Sequence, residues 1–144
     1  MATINLYTYS VAHGNEKVRY ALRKQLPGDP VSSELCDMEA ETVIQQFAAL
    51  RDAHDSQCAK PIAEMIHSFS PEESKRIGPE LVNKLGHEVA TAVFPGHQAI
   101  VVTHLDRGHL HNHIILNRHH FQTGKLTRDE IGIDYDDDPL SKLF

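Results

Sequence analysis

His104-Leu105-Asp106-Arg107-Gly108-His109-Leu110-His111-Asn112-His113-Ile114-Ile115-Leu116-Asn117 decides how this chain is read, because it gathers four of the eleven histidines around one glycine-containing turn. The apolar run 99–102 leads into it and 114–116 leads out. Short β-branched runs on either side of such a turn predict two paired strands. Residues two apart on a strand face the same side, so His109, His111, His113 and Ile115 share one face. Asn112, Ile114, Leu116 and Arg118 share the other. The position of His104 depends on the turn. A two-residue loop, Arg107-Gly108, sets His104 opposite His111 and on its face, whereas a three-residue loop sets it opposite Leu110 on the wrong one. Three neutral imidazoles with an open coordination position describe a catalytic rather than a structural metal site, and no cysteine stands nearby as a closing fourth ligand.

Working outward, residues 3–9 partly alternate and predict a first strand, with Tyr7 and Tyr9 on one face. His13-Gly14-Asn15 reads as a break, with Asn15 able to cap a short helix over 16–25 that Pro27-Gly28 stops. Val18, Ala21 and Leu22 form its apolar stripe. Tyr20 lies off that stripe, with Lys17, Arg23 and Lys24 at helical-neighbour spacing, so a tyrosine among cations can lie beside a phosphate. Residues 31–37 are a short strand or loop. Residues 39–54 predict a helix with Val43, Ile44, Phe47 and Leu50 inward. Residues 61–70 predict a strand. Ser70-Pro71-Glu72-Glu73 then carries a Ser cap, Pro in the first helical position and Glu in the third. That helix runs to about residue 94, with a break at Gly78-Pro79. Residues 121–126 are a turn region. The order predicts an α+β fold, with helices covering one face of a mainly antiparallel sheet.

The 144 residues suit one domain with its own core. No apolar run approaches the ~20 residues a membrane helix needs, no signal peptide is visible, and two cysteines are too few for a disulfide framework. A reduced, cytoplasmic protein is expected. The net charge is −6, with 14 basic and 20 acidic residues. Six of those acids follow Arg128, which delimits a domain over 1–128 from an acidic tail over 129–144. The tail is either mobile or the start of a further C-terminal region. Between His104 and Arg128 only Asp106 opposes Arg107, Arg118, Lys125 and Arg128, and such a local basic patch is what phosphate contact requires.

The run His104-x-Asp106-x-x-His109-x-His111-Asn112-His113-x-x-x-Asn117 resembles the third motif of MobP-type relaxases, mobilisation nucleases of the HUH endonuclease class, a class named for a His-hydrophobe-His pair; here the middle residue is Asn112. His67-Ser68-Phe69-Ser70-Pro71-x-Glu73 resembles the second motif, and Val18-Arg19-Tyr20-Ala21-Leu22 the first, which carries a nucleophilic tyrosine. The motifs occur in the family's order over residues 2–120.

The resemblance implies an HUH-endonuclease (ferredoxin- or palm-like) core and a metal held by His104, His111 and His113, with His109 as a possible additional ligand. It implies a relaxase that nicks one strand of a transfer origin through a 5′-phosphotyrosine on Tyr20 and can rejoin it. Two roles are open to Asp106: a carboxylate behind a metal-binding ring, or a base towards Tyr20. Ser68 is a candidate DNA contact, with Lys17, Arg23, Lys24, Arg107, Arg118 and Lys125, and Asn117 a support behind the site. Mn or Mg is the expected functional cation, and imidazoles also suit Zn, Ni or Co. Expected partners are single-stranded or hairpin origin DNA, accessory relaxosome proteins and a coupling protein. The rival readings are a rolling-circle or transposition nuclease, in which the tyrosine follows the histidines, and a non-catalytic metal- or DNA-binding domain.

Overall fold

A computed structural model describes residues 2–24, 29–106 and 108–127. The elements run β1 (Thr3–Tyr9), α1 (Val11–Lys24), β2 (Val31–Glu34), α2 (Ala40–Ala53), β3 (Ile62–Ser68), α3 (Pro71–Ile77), α4 (Pro79–Val93), β4 (His97–Asp106) and β5 (His109–His120). The strands form one sheet in the order β1-β3-β5-β4-β2, and every neighbouring pair is antiparallel.

Helices cover both faces of this sheet, not one. Val18 and Ala21 of α1 and Val43, Ile44 and Phe47 of α2 pack on Ile62, Ile100, Val102 and Ile115. On the reverse, Ala90 of α4 and the following Phe94 meet Leu6, Ala63, Met65, Ala99, Val101, Ile114 and Leu116. The reason lies in the central strands. β4 is buried at eight consecutive positions, and an unbroken apolar run such as 99–102 needs cover on each side.

The helix boundaries follow local chemistry, with one exception. The Ser70 hydroxyl accepts from the Glu73 amide while the Glu73 carboxylate accepts from the Ser70 amide, closing the capping box. Gly78, at φ 86°, ends α3 before α4, because few other residues adopt that backbone. Glu39 caps α2 through the Glu41 and Thr42 amides. The exception is α1, which begins at Val11 and runs straight through the expected break. Gly14 is buried in it, and a Cβ there would lie 2.5–2.8 Å from three side-chain atoms of Ile62. This glycine lets a helix approach the sheet closely. Residues 25–28, where the stop was expected, lie outside the described residues.

Candidate metal centre and its surroundings

Asp106 pairs with His109 and His104 with His111 across β4 and β5, which leaves the two-residue turn and puts His104 on the face of His111 and His113. One ring nitrogen from each of these three histidines lies within 4.8 Å of the others, and the ring centroids are 4.7–5.7 Å apart. His109 does not join them. It is exposed, and its Nδ1 lies 3.2 Å from the Phe69 carbonyl.

The hydrogen bonds behind the rings determine which nitrogens face inward. His104 is buried, and its Nε2 lies 2.8 Å from the Ala21 carbonyl in the last turn of α1, where carbonyls have no partner within the helix. A carbonyl only accepts, so Nε2 carries the proton. Nδ1 is then a bare lone pair, buried and without a hydrogen-bond partner. His113 Nδ1 lies 3.0 Å from Glu64 Oε2, so this ring donates from Nδ1 and keeps Nε2 free. Burial is the largest cause that holds His104 and His111 below the ordinary imidazole range. The Ala21 carbonyl partly opposes it at His104. At His111, pushed down to about 4, the neighbouring rings of His113 and His104 add to it. Three converging imidazole nitrogens, one of them the orphaned buried Nδ1 of His104, fit a divalent cation.

Glu64 was not among the residues expected from sequence. It is 3 % exposed, and its second oxygen accepts the Tyr9 hydroxyl at 2.8 Å. A carboxylate inside the run Ile62-Ala63-Glu64-Met65-Ile66 was its signal, since a buried charge must find partners. Asp106, favoured from proximity in sequence, is exposed at the end of β4, and among the described residues no hydrogen bond ties it to a ring of the triad. The carboxylate behind the site is Glu64, because strand pairing brings β3 beside β5.

The family model described as "Relaxase: MobA/VirD2-like, nuclease domain" matches residues 20–137. The chain belongs to that family. A Staphylococcus aureus protein, Rlx, is 40% identical over 91 residues, 62% of this chain and 27% of the relative. The group II intron-interrupted relaxase LtrB of Lactococcus lactis subsp. cremoris is 37% identical over 62 residues, 42% of this chain and 11% of that protein. The matched part thus spans about a quarter or less of these relatives' length. Among solved structures, the MobM relaxase domain bound to plasmid pMV158 oriT DNA, with Mn, has a TM-score of 0.62 at 14% identity, covering 94% of this chain and 78% of that one. A structure described as the molecular basis of vancomycin resistance transfer in Staphylococcus aureus has a TM-score of 0.58 at 14% identity, covering 83% and 71%. At such identities the likeness is one of fold, an antiparallel five-stranded sheet with helices.

In this relaxase domain the remaining expected residues fall into two groups. Tyr20 is 45% exposed on α1, next to Ala21, with Arg23 and Lys24 5.9 and 5.7 Å from its ring centroid. Lys17 instead lies over the ring of Tyr9, at 5.4 Å. A surface cleft beside Tyr20 is lined by His13, Glu16, Lys17 and Arg23. Ser68 pairs with His111 and stands on its face.

The other group lies elsewhere. Arg118 is fully buried; its guanidinium donates to the Lys60 carbonyl at 2.8 Å and the Thr127 hydroxyl at 3.3 Å, so it ties β5 to flanking chain instead of meeting DNA. Asn117 is a core amide that donates to the Phe47 carbonyl and Gln98 Oε1, not to a triad ring. Lys125 is exposed beside His120, and the seven steps from His113 to His120 span roughly 23 Å of strand. Arg107 and the tail 129–144 lie outside the described residues.

Asn112 breaks the hydrophobe pattern for a visible reason. It accepts from the Thr103 hydroxyl at 2.7 Å and donates to the Val82 carbonyl at 2.8 Å, beneath Gly86, where a Cβ would lie 2.4 Å from its amide nitrogen. The residue between His111 and His113 thus fastens the hairpin to α4.

Proposed function

We propose that this domain nicks one strand of DNA at a transfer origin and can rejoin it, with Tyr20 as the nucleophile. The observation that carries the reading is the convergence of His104, His111 and His113 against the last turn of α1, the helix of Tyr20. In the proposed step the Tyr20 oxygen bonds to the scissile phosphorus and the bond to the 3′ oxygen breaks. The phenol gives up its proton and the leaving oxygen takes one, giving a 5′-phosphotyrosine and a free 3′-hydroxyl. One ester replaces another, so the 3′-hydroxyl can reverse the exchange.

His104, through Nδ1, His113, through Nε2, and His111 would hold the divalent cation, Mn or Mg in function with Zn, Ni or Co also suited. Bound there, it supplies a Lewis acid for a phosphate oxygen. Arg23 and Lys24 flank Tyr20 and can hold the backbone of a single strand or hairpin through its phosphates. Accessory relaxosome proteins and a coupling protein belong to the same reading. No helix among the described residues is long and apolar enough to cross a membrane.

The other tyrosines support the choice. Tyr9 donates its hydroxyl to Glu64, and burial first, then that carboxylate, pushes its phenol well above the ordinary range. Tyr7 lies on the edge strand β1, opposite Glu64 and on the face of Tyr9, and it is not the tyrosine that Arg23 and Lys24 flank. Tyr135 is outside the described residues. The test is mass spectrometry after incubation with a single-stranded origin oligonucleotide and Mn²⁺. The wild-type chain gains the mass of the 3′ fragment, and Tyr20→Phe gains none while it still takes up metal. An adduct that persists in Tyr20→Phe and disappears in Tyr7→Phe or Tyr9→Phe overturns the assignment.

A further inference from the structure

Glu64 has two carboxylate oxygens, and each has one partner inside the fold. Oε2 takes the His113 Nδ1 proton at 3.0 Å, and Oε1 takes the Tyr9 hydroxyl at 2.8 Å. The terminal torsion of a glutamate is broad and roughly two-fold. One hydrogen bond alone leaves its plane free to turn; a second, on the other oxygen, fixes it. Tyr9 is itself held. Its ring packs at 5.1 Å from the ring of His13, and the Lys17 ammonium sits 5.4 Å from its centroid. Both neighbours come from α1, so the chain of contacts runs from the cleft beside Tyr20, through Tyr9 and Glu64, to His113.

We propose that Tyr9 is a positioning residue of the metal centre: through Glu64 it fixes the ring of His113 in the Nδ1–H tautomer with Nε2 aimed at His104 and His111. This rests on the three-histidine metal site proposed above. A ligand histidine that donates its second nitrogen to a carboxylate has its tautomer and orientation set, and loss of such support costs metal affinity. Tyr9 adds the outer link. Without its hydroxyl, Glu64 Oε1 is a buried acceptor with no proton to receive, and the carboxylate can rotate away from His113.

Tyr9→Phe removes one oxygen from a half-buried side chain and keeps the ring against His13, so it leaves the sheet intact. Mn²⁺ titration by calorimetry is the test, run on the wild-type chain, Tyr9→Phe, Glu64→Ala and the double variant. Tyr9→Phe binds Mn²⁺ about tenfold more weakly, with the melting temperature of the metal-free chain little changed. In the Glu64→Ala background the same substitution has no further effect, since the two residues act as one unit. In the metal-free chain, the imidazole nitrogen resonances of His113 move from the Nδ1–H pattern towards a tautomer mixture in Tyr9→Phe.

Equal Mn²⁺ affinity in wild type and Tyr9→Phe overturns the proposal and leaves the metal site standing. So does a loss that recurs in full without Glu64, or one matched by collapse of the metal-free melting temperature. Absence of Mn²⁺ uptake by the wild-type chain overturns the metal site itself, and this proposal with it.

Discussion

Gly14→Ala inverts the usual effect of alanine in a helix. In an open helical position alanine is better than glycine by about 1 kcal/mol. At Gly14 the added methyl would sit 2.5 Å from Ile62 Cδ1, 2.8 Å from Cγ2 and 2.7 Å from Cβ, where ordinary contact starts at 3.4 Å. A rotamer change at Ile62 relieves the first two and not the third, because Cβ is fixed by the β3 backbone. α1 must then retreat by about 0.7 Å, the shortfall at that atom. Overpacking of this kind costs about 1–3 kcal/mol, which outweighs the helix preference and leaves a net loss of about 1 kcal/mol. The retreat also draws the Ala21 carbonyl from His104 Nε2, now 2.8 Å away, so Mn²⁺ affinity falls as well. Urea unfolding of the two chains measures the first effect and calorimetry the second. A Gly14→Ala chain that is more stable by about 1 kcal/mol, with unchanged Mn²⁺ affinity, refutes the close-approach argument.

His111→Ala loses Mn²⁺ by calorimetry whereas His109→Ala keeps it; the reverse pattern means that the exposed histidine beside Phe69 is the ligand. Arg118→Ala strands the Lys60 carbonyl and the Thr127 hydroxyl and lowers stability by about 3 kcal/mol in urea unfolding, while Lys24→Ala changes stability by under about 0.5 kcal/mol and flattens the salt dependence of single-strand binding. Equal effects of these two substitutions on DNA binding, with neither unfolding the chain, return Arg118 to the DNA surface. Burial, then the charges of Arg118, Arg51 and His54, hold His119 below the ordinary imidazole range despite the Gly124 carbonyl that opposes them. Its contribution is therefore complete above the unfolded value of about 6.5 and is lost as pH falls towards the folded one, because only the unfolded chain takes the proton. Urea unfolding at pH 7.5 and 5.5 shows a smaller acid loss in His119→Gln than in the wild-type chain; an equal loss in both removes His119 from the account.

Contacts close in sequence were legible without coordinates. The capping box at Ser70 and Glu73, the glycine break at Gly78, and the shared face of His111 and His113 depend on neighbours two to four residues away, and the periods of strand and helix carry that information. Tyr20 was visibly off the apolar stripe of its helix for the same reason. The unbroken apolar run of β4 also held the sign of a sheet covered on both faces, although alternation elsewhere pointed to one.

What surrounds the three rings was decided only by tertiary structure. His104 meets the Ala21 carbonyl across 83 residues, and His113 meets Glu64 across 49. Those separations depend on strand order, which puts β3 beside β5, and on how closely Gly14 lets α1 approach. Neither quantity has a period in the sequence. The same limit misdirected the basic residues. Arg118 and Lys24 carry the same charge in the chain, but one is enclosed between β5 and residues 60 and 127 while the other stands beside Tyr20. A side chain's type sets what it can bind, and only the packing of distant elements sets whether it faces a carbonyl, a carboxylate or open water.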